Sequence, residues 1–366
     1  MQAIPCPTAA FAIYLQPSAL IFYSSGLEAQ SLRQQADTLG ISIGTAVRPS
    51  LLSERLYAAT LGREFNMVEP EDAMKWAVIR RERSTFDFTG GDRVLAFAQV
   101  HRMKDRGHTL VWPWSNPAWL TSQSFTPEQL SQILQEHITT VVTHFRGKVF
   151  AWDVVNEAFD EHGALKHSPW YDQPGIGLAA KSSAYIEQAL RWAHAADPQA
   201  LLFYNDHGAE TINVKSETIY AMVKDFRQRG VPIDGVGMQM HIFDLRPDVD
   251  GIAASIARFA ALGLRVHITE MDVALPVDAS GHASAADLAQ QAEIYRRIAA
   301  ACLAQGNCTA IQTWGFTDKY SWIGWKSKGS QGQALPFDRN YRPKAAYGGL
   351  RDALHGGQKP ASASVR

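Results

Sequence analysis

Short apolar runs rich in β-branched and aromatic residues recur along the chain, and longer amphipathic stretches separate them. Runs of this length and composition predict buried strands. Successive runs start roughly 23 to 51 residues apart, which leaves room for a loop and a helix after each strand. We predict eight strands, at Ile41–Ala46, Glu64–Val68, His108–Trp112, Phe150–Val155, Leu201–Asn205, Val236–His241, Arg265–Glu270 and Ala310–Gly315.

The stretches between the strands have helical features. Residues 127–145 place apolar side chains at helical spacing, and Thr126 followed by Pro127 is a favourable helix start. Gly230 lies where a later helix would end. Eight strand–helix alternations without a Pro/Gly/Ser-rich linker predict the α/β class and a single (β/α)8 TIM barrel, the catalytic domain, over residues 31–355.

The two ends of the chain differ from its body. We expect residues 1–30 to be a leader or disordered N-terminal segment, and residues 356–366, which are mostly polar, to be a disordered tail. An export signal normally starts with Lys or Arg, whereas the first basic residue here is Arg33. Whether residues 1–30 are a cleaved signal therefore stays open, and we expect a secreted or periplasmic protein.

Composition excludes several classes of protein. The 35 basic residues against 36 acidic ones provide no net positive field for a nucleic-acid backbone. Beyond the N-terminal segment, no uncharged apolar run is long enough to span a membrane. We therefore expect neither nucleic acid nor membrane as a partner. The ten Trp are either extra core or stacking platforms for a flat ligand face, such as that of a sugar ring.

Polar, titratable and indole groups follow seven of the eight predicted strands. A barrel of this kind carries its chemistry at the carboxyl ends of its strands, and stability alone gives no reason to gather such groups there. The groups are Glu71, Asp72, Lys75, Trp112, Trp114, Trp119, Asn156, Glu157, Asn205, Asp206, His207, Gln239, His241, Glu270, Asp272, Trp314 and Asp318.

Two carboxylates stand out in this set. Glu157 closes the run AWDVVNE and Glu270 closes VHITE, so both lie at the mouth end of an apolar strand. Glycoside hydrolysis requires one protonated carboxyl that donates to the leaving oxygen and one ionised carboxylate that attacks or activates water. A structural salt bridge would be a sufficient explanation for one such glutamate alone. Because there are two, both flanked by Asn, His and Trp, we favour the catalytic interpretation.

A metal site is the alternative use of these residues. His241 and His267 could join Glu270 or Asp272, but strand alternation places His267 on the face opposite Glu270. Three converging ligands are then lacking, so we predict no metal. The chain has no GxGxxG after the first strand, no phosphate-binding GxxxxGK[ST] and no GxSxG. We accordingly expect no cofactor.

Six segments resemble glycoside hydrolase family 10, the endo-β-1,4-xylanase family, and the resemblance extends from about Ser31 to about Leu354. The segments are FNMVEPEDAMKW, HTLVW, WDVVNEAF, GVGMQMH, ITEMDV and WGFTDKYSW. The resemblance implies a (β/α)8 barrel and a retaining double displacement, with Glu157 as general acid/base and Glu270 as nucleophile. It implies that Asn156 bonds the sugar 2-hydroxyl and that Gln239 and His241 position the nucleophile.

The resemblance also implies how the sugar chain is held. Glu71 and Lys75 would bind the sugars towards the non-reducing end, and the Trp314 and Trp322 rings would form the floor of those subsites. The substrate-binding set that we predict is Glu71, Asp72, Lys75, Trp112, Trp114, Trp119, Asn156, His207, Gln239, His241, Trp314 and Trp322.

Cys302 and Cys308 are six residues apart on either side of a turn-prone stretch. The spacing allows a disulfide, which would imply an oxidising compartment, or two buried free thiols. Family members commonly carry a bridge at this place, so the resemblance implies a disulfide.

Three positions depart from the family pattern. Pro113 replaces a His that bonds the sugar, and it has no donor. Asp72 replaces an Asn and can only accept when ionised. His207 replaces an aromatic Tyr on the leaving-group side. We expect Trp114, next to Pro113, to fill or reshape the pocket wall. Because both glutamates are retained, we expect altered specificity rather than an inactive enzyme.

The predicted function is cleavage of β-1,4-xylosidic linkages in xylan or xylo-oligosaccharides. The same fold and mechanism acting on another or a decorated β-glycoside is the first alternative. A non-catalytic carbohydrate-binding barrel and a metal-dependent barrel enzyme are further alternatives. We expect a monomer with a polysaccharide or oligosaccharide substrate, and the sequence leaves the preferred sugar and the choice between endo and exo cleavage open.

Overall fold

The computed structural model describes residue 2 and residues 30–357. Eight parallel strands form a closed barrel, because each strand pairs with the next and the last pairs with the first. This confirms the predicted (β/α)8 barrel. The strands are β1 (Ser42–Val47), β2 (Met67–Pro70), β3 (Lys104–Val111), β4 (Ala151–Asn156), β5 (Leu201–Asp206), β6 (Gly235–Met238), β7 (Arg265–Val273) and β8 (Cys308–Thr313).

Helices connect the strands and form an outer layer around the barrel. The longer ones are α1 (Leu32–Leu39), α2 (Arg55–Glu64), α3 (Thr89–Val100), α4 (Pro127–His144), α5 (Ala184–Ala196), α6 (Val214–Gln228), α7 (Val249–Ala260), α8 (Ala285–Leu303) and α9 (Ala345–Gly356). Short helical turns lie at Pro49–Ser53, Trp76–Ile79, Ala118–Thr121, Ala179–Lys181 and Ile323–Lys326. Two-residue strands lie at His241–Ile242, Leu275–Pro276 and Gln331–Gly332.

Local sequence sets where these helices begin and end. The Thr126 hydroxyl accepts a hydrogen bond from the Gln129 backbone N–H at the start of α4, and the Gln129 side chain accepts from the Thr126 N–H. Two backbone N–H groups that lack helical partners are thereby satisfied. Gly230 has φ +69° just beyond α6, a conformation that glycine adopts at little cost. Both predicted helix boundaries are confirmed.

A charged network fills the barrel below its mouth. The Arg106 guanidinium pairs with Asp153 and lies 3.3 Å from Glu69, and all three side chains are fully buried. His267 Nδ1 lies 2.8 Å from Arg106, so this histidine also points into the barrel. The prediction that alternation separates His267 from the interior is wrong, because β7 shifts register against β8 between Ile268 and Met271.

The ends of the chain and the cysteines complete this description. The predicted N-terminal segment and tail fall largely on residues 1, 3–29 and 358–366, which lie outside the described residues, whereas Gly356 at the start of the predicted tail still belongs to α9. A disulfide joins Cys302 at the end of α8 to Cys308 at the start of β8, as the resemblance implied. None of the helices within residues 30–357 is long and apolar enough to cross a membrane.

Candidate active site

A cleft of about 790 Å³ opens at the carboxyl ends of the barrel strands. Both predicted catalytic glutamates line it, as do eleven of the twelve predicted substrate-binding residues. These eleven are Glu71, Asp72, Lys75, Trp112, Trp114, Asn156, His207, Gln239, His241, Trp314 and Trp322. Side chains that follow different parallel strands therefore lie together at one end of the barrel, as predicted.

Trp119 is the residue that the structure does not bring to the cleft. Its side chain is buried, and its indole N–H donates to the Arg80 carbonyl at 2.9 Å. The Phe125 ring packs edge-on against it. Trp119 belongs to the short helical turn after β3 and fills the core, so its inclusion among the substrate-binding residues is corrected.

Glu270 is held firmly at the end of β7. The Asn205 amide donates to its Oε1 at 2.7 Å, and His241 Nε2 lies 3.2 Å from its Oε2. Only 5% of the residue is exposed. Gly237 makes room for Asn205, since a Cβ on Gly237 would meet Asn205 Oδ1 at 2.1 Å. The carboxylate is thus fixed in one orientation from two sides.

His241 links Glu270 to a second carboxylate and to an indole. Its Nδ1 lies 3.0 Å from Asp272 Oδ1, and the Trp322 indole N–H donates to Asp272 Oδ2 at 2.7 Å. Burial lowers the pKa of His241, but the Asp272 and Glu270 carboxylates outweigh it and raise the pKa well above its usual value. The imidazolium therefore donates to both carboxylates at neutral pH.

Glu157 lies immediately after β4 with a left-handed backbone, φ +52°. The Gln239 amide donates to its Oε1 at 2.9 Å, and Lys166 Nζ lies 3.9 Å from its Oε2. Burial raises the pKa of Glu157, but the Gln239 hydrogen bond and the charges of His207 and Lys166 lower it below the usual value. These contacts favour the ionised carboxylate, so the fraction of protein that carries the proton needed for bond cleavage falls as the pH rises.

Amide side chains connect the two glutamates. Asn156 Oδ1 accepts from Asn205 at 2.9 Å and from Gln239 at 3.3 Å. Asn205 and Gln239 in turn donate to Glu270 and Glu157 respectively. Displacing one amide would therefore disturb the surroundings of both carboxylates.

The turn after β6 touches both glutamates as well. Gln239 and His241 contact Glu157 and Glu270 respectively, and Met240 between them has φ +64°. The Met240 N–H donates to the Glu210 carboxylate at 3.0 Å, which fixes this left-handed backbone. Burial raises the pKa of Glu210.

One side of the cleft, which we name the tryptophan wall, consists of Glu71, Lys75, Trp314 and Trp322. Lys75 Nζ lies 5.4 Å from the centre of the Trp314 ring. Arg48 donates to both Glu71 carboxylate oxygens, at 2.9 and 2.7 Å. Burial raises the pKa of Glu71, although Arg48 opposes this change. Indole faces and charged groups with fixed partners suit the apolar faces and hydroxyls of sugars.

His207 and Trp114 line the cleft near Glu157, and Lys166 lies beside the same glutamate; we name these three residues the lysine wall. Lys166 Nζ lies 5.9 Å from the centre of the Trp114 ring. The His207 ring lies 3.5 Å from both Glu161 and Lys215. Burial and the nearby lysines lower the pKa of His207, although Glu157 and Glu161 oppose this. Its imidazole is therefore neutral at pH 7.

The three departures from the family pattern have different structural consequences. Asp72 forms an ion pair with Lys75 at 2.8 Å. Pro113 does not line the cleft, whereas its neighbours Trp112 and Trp114 do. Trp114 lines the cleft but is 67% exposed, so of the two predicted effects, filling or reshaping the pocket wall, its position favours reshaping. His207 lies on the lysine wall beside Glu157.

Several cleft residues escaped the sequence analysis, among them His108, Glu210, Phe243, Trp325 and Lys326. His108 lies inside β3 and bonds Asp153 at 2.9 Å, and its place in the HTLVW segment was the available signal. Glu210 follows the strand-end group at 205–207 by three residues. Phe243 lies on a loop, and Trp325 and Lys326 lie on the short helical turn Ile323–Lys326, so strand periodicity gives no signal for any of the three.

Glu69, His108 and Asp153 offer ligand atoms within 4.8 Å of one another. Arg106 pairs with Asp153 and lies 3.3 Å from Glu69. The arginine thus supplies the positive charge that these carboxylates face, and we assign the cluster to the charged network of the barrel interior.

Comparison with known proteins agrees with this geometry. Residues 31–353 match the sequence profile of the family described as Glycosyl hydrolase family 10. Endo-1,4-beta-xylanase B of Thermotoga neapolitana is 44% identical over 334 residues, which cover 90% of this chain and 93% of that protein.

Solved structures are similar over the same region. Native xylanase 10B from Thermotoga maritima has a TM-score of 0.84 and 43% identity, covering 89% of this chain and 98% of its own. Xylanase 10B from Thermotoga petrophila RKU-1, in complex with xylobiose, has a TM-score of 0.84 and 42% identity, covering 89% and 97%.

Proposed function

The chain belongs to glycosyl hydrolase family 10, and we propose that it cleaves β-1,4-xylosidic linkages in xylan or xylo-oligosaccharides by double displacement, with Glu157 and Glu270 as its two catalytic carboxyls. The observation that carries the proposal is the pair of glutamates lining one cleft, each held by its own donors. A retaining glycosidase needs two such groups in different environments.

In the first step Glu270 attacks the anomeric carbon while Glu157 gives its proton to the leaving oxygen. Asn205 and His241 hold the Glu270 carboxylate so that it meets the sugar without reorienting. The positive charge of His241 is shared with Asp272, which limits how far it weakens the nucleophile. A glycosyl–enzyme ester at Glu270 and a free leaving group are the products.

In the second step Glu157, now ionised, removes a proton from water, and the water oxygen attacks the anomeric carbon. The ester bond breaks and Glu270 leaves as a carboxylate. The Gln239 hydrogen bond and the nearby Lys166 charge favour the ionised form of Glu157, which this step requires. Two inversions give overall retention of configuration.

We assign the tryptophan wall to the sugars on the non-reducing side of the cleaved bond. The Trp314 and Trp322 rings offer stacking faces, and Lys75 and Glu71 offer charged hydrogen-bonding groups. The lysine wall then faces the leaving group. Asp72, His207 and the exposed Trp114 are the positions at which preference for another or a decorated β-glycoside would originate.

A product-resolved digestion tests the proposal. The protein is incubated with xylan, mixed-linkage glucan, arabinoglucuronoxylan and aryl β-glycosides, beside a Glu270→Ala control. Oligosaccharide ladders from xylan that are absent from the control, with β-configured first products in a proton NMR time course, are expected. Cleavage of another glycoside without cleavage of xylan would mean that xylan is not the substrate. Binding of oligosaccharide without cleavage would favour a carbohydrate-binding barrel.

The proposal includes two finer points. The Cys302–Cys308 disulfide is of a kind that persists in oxidising compartments, so we propose that the enzyme acts outside the cytoplasm. We also propose that it acts as a monomer, since the barrel supplies every cleft residue from one chain. Fractionation of the source cells and light scattering would test these points.

A further inference from the structure

We propose that Lys166 is a positioning residue for the acid/base glutamate. The Lys166 ammonium group stabilises ionised Glu157 and thereby sets the upper pH limit of cleavage. The inference rests on the proposed function, and it deepens the description of the same site. It starts from the loop that follows β4.

The loop after β4 folds back so that Lys166 lies beside Glu157. Phe159 and Leu165 form an antiparallel bridge, and the Lys166 N–H donates to the Ala158 carbonyl at 2.8 Å. Gly163, with φ +78°, permits the tight turn between them. These backbone contacts hold Lys166 at the glutamate before any substrate arrives.

Lys166 directs its charge at Glu157. Its Nζ lies 3.9 Å from Glu157 Oε2, and each side chain is only 15% exposed, so solvent screens the pair incompletely. Within residues 30–357, Lys166 forms an ion pair with Glu157 and with no other acidic side chain. Most surface lysines, by contrast, are screened by water and add little.

The other charged groups near Glu157 cannot replace Lys166. Protonated His207 also lowers the pKa of Glu157, but burial and nearby lysines lower the pKa of His207 itself, so this charge is lost as the pH rises. Lys215 is paired with Asp206 at 2.8 Å and lies 3.5 Å from Glu161.

On the far side of the mouth, the charge of His241 is matched by two carboxylates, those of Asp272 and Glu270. Lysine ammonium groups are charged throughout the neutral range. Lys166 is therefore the cation that acts on Glu157 near neutral pH.

The two chemical steps make opposite demands on this glutamate. Bond cleavage needs Glu157 protonated, and hydrolysis of the glycosyl–enzyme needs it ionised. A fixed cation favours the second step at the expense of the first. Its removal should let the first step persist to higher pH and slow the second at low pH.

The test compares Lys166→Met with Lys166→Arg, which keeps the charge, and with Lys224→Met, which removes an exposed lysine on α6. The measurement is kcat/KM for an unactivated xylo-oligosaccharide between pH 4 and 10, because this quantity reports the free enzyme. We expect the alkaline midpoint to rise by about one pH unit in Lys166→Met and to stay in place in the other two. An unmoved midpoint in Lys166→Met would overturn the inference.

A second readout needs no substrate. Carbon-13 NMR titration of the Glu157 carboxyl should show the same upward displacement in Lys166→Gln, a variant that keeps a polar end if the methionine variant fails to fold. If the Glu157 titration moves upward in Lys166→Gln but the wild-type protein cleaves no substrate, the proposed function alone is refuted. An active wild type with an undisplaced Glu157 titration would refute the role of Lys166 alone.

Discussion

The two glutamates at the barrel mouth have contrasting surroundings. Glu270 is 5% exposed and belongs to a chain of direct contacts that extends through His241 and Asp272 to Trp322. Glu157 is more exposed, receives hydrogen bonds from Gln239 at 2.9 Å and Asn156 at 3.4 Å, and lies 3.9 Å from Lys166.

This difference follows the chemistry of the two groups. A nucleophile must present one carboxylate oxygen in one orientation, so a closed set of partners serves it. An acid/base group must exchange protons with the leaving group and with water, so access and a tunable charge serve it better. Of the three departures from the family pattern, His207 lies on the lysine wall, whereas Asp72 pairs with Lys75 of the tryptophan wall.

Replacing the glutamates gives the largest expected effects and separates their roles. Glu270→Ala should lose about 10⁴-fold or more of kcat on every substrate, because no other carboxylate can form the ester. Glu157→Ala should lose about 10²- to 10⁴-fold on xylan. With an aryl xylobioside whose phenol leaves without protonation, its kcat/KM should fall less than tenfold. Steady-state kinetics on both substrates checks this.

Equal losses for the two variants on the activated substrate would contradict the assignment. Azide provides a control, because this small anion can replace the base-activated water in Glu157→Ala. Direct attack of azide on the free β-glycoside would instead give an α-glycosyl azide. A β-glycosyl azide is the product expected from the glycosyl–enzyme of this variant.

Breaking the chain behind Glu270 should give the next largest effect. Trp322→Phe keeps an aromatic ring but removes the N–H that donates to Asp272 at 2.7 Å. Losing a buried hydrogen bond to a charged group costs about 1.5–3 kcal/mol. We expect kcat to fall about ten- to a hundredfold, while Trp192→Phe on the outer helix α5 should match the wild type. A change in KM alone would show that Trp322 acts only as a sugar platform.

The barrel and most of the cleft could be predicted from the sequence because both follow simple geometric rules. Apolar runs at regular spacing define the strands, and a parallel barrel collects the residues after each strand at one mouth. Glu157, Glu270 and Gln239 were found in this way. The same logic failed for Trp119, because a short helical turn after β3 turns its side chain into the core.

Irregular backbone explains the remaining errors and the exposed position of Trp114. His267 points into the barrel because β7 shifts register, and no periodic pattern encodes such a shift. His108 was missed because it was placed at the start of its strand, whereas β3 begins four residues earlier, at Lys104. The Trp114 ring stands at the rim because the loop at 112–117 decides its direction.

A smaller effect is expected on the lysine wall, where His207→Tyr would restore the aromatic ring of the family pattern. Aromatic stacking contributes about 0.5–1.5 kcal/mol, so KM for long xylo-oligosaccharides should fall about two- to tenfold with little change in kcat. His207→Asn removes the imidazole without adding a ring and is the matched control. Equal KM values for Tyr and Asn would mean that this position does not contact the leaving group.

The smallest effect is expected for Trp114→Ala. The ring is 67% exposed, and Lys166 lies 5.9 Å from its centre, so little buried surface is lost with it. On short aryl glycosides kcat/KM should stay within about twofold, whereas on polymeric xylan it should fall about threefold if leaving-side sugars stack there. A loss above tenfold on the short substrates would mean that Trp114 supports Lys166 and Glu157 directly. The contrast between the surroundings of Glu157 and Glu270 would then be wrong, because the lysine wall would be as tightly organised as the contacts around Glu270.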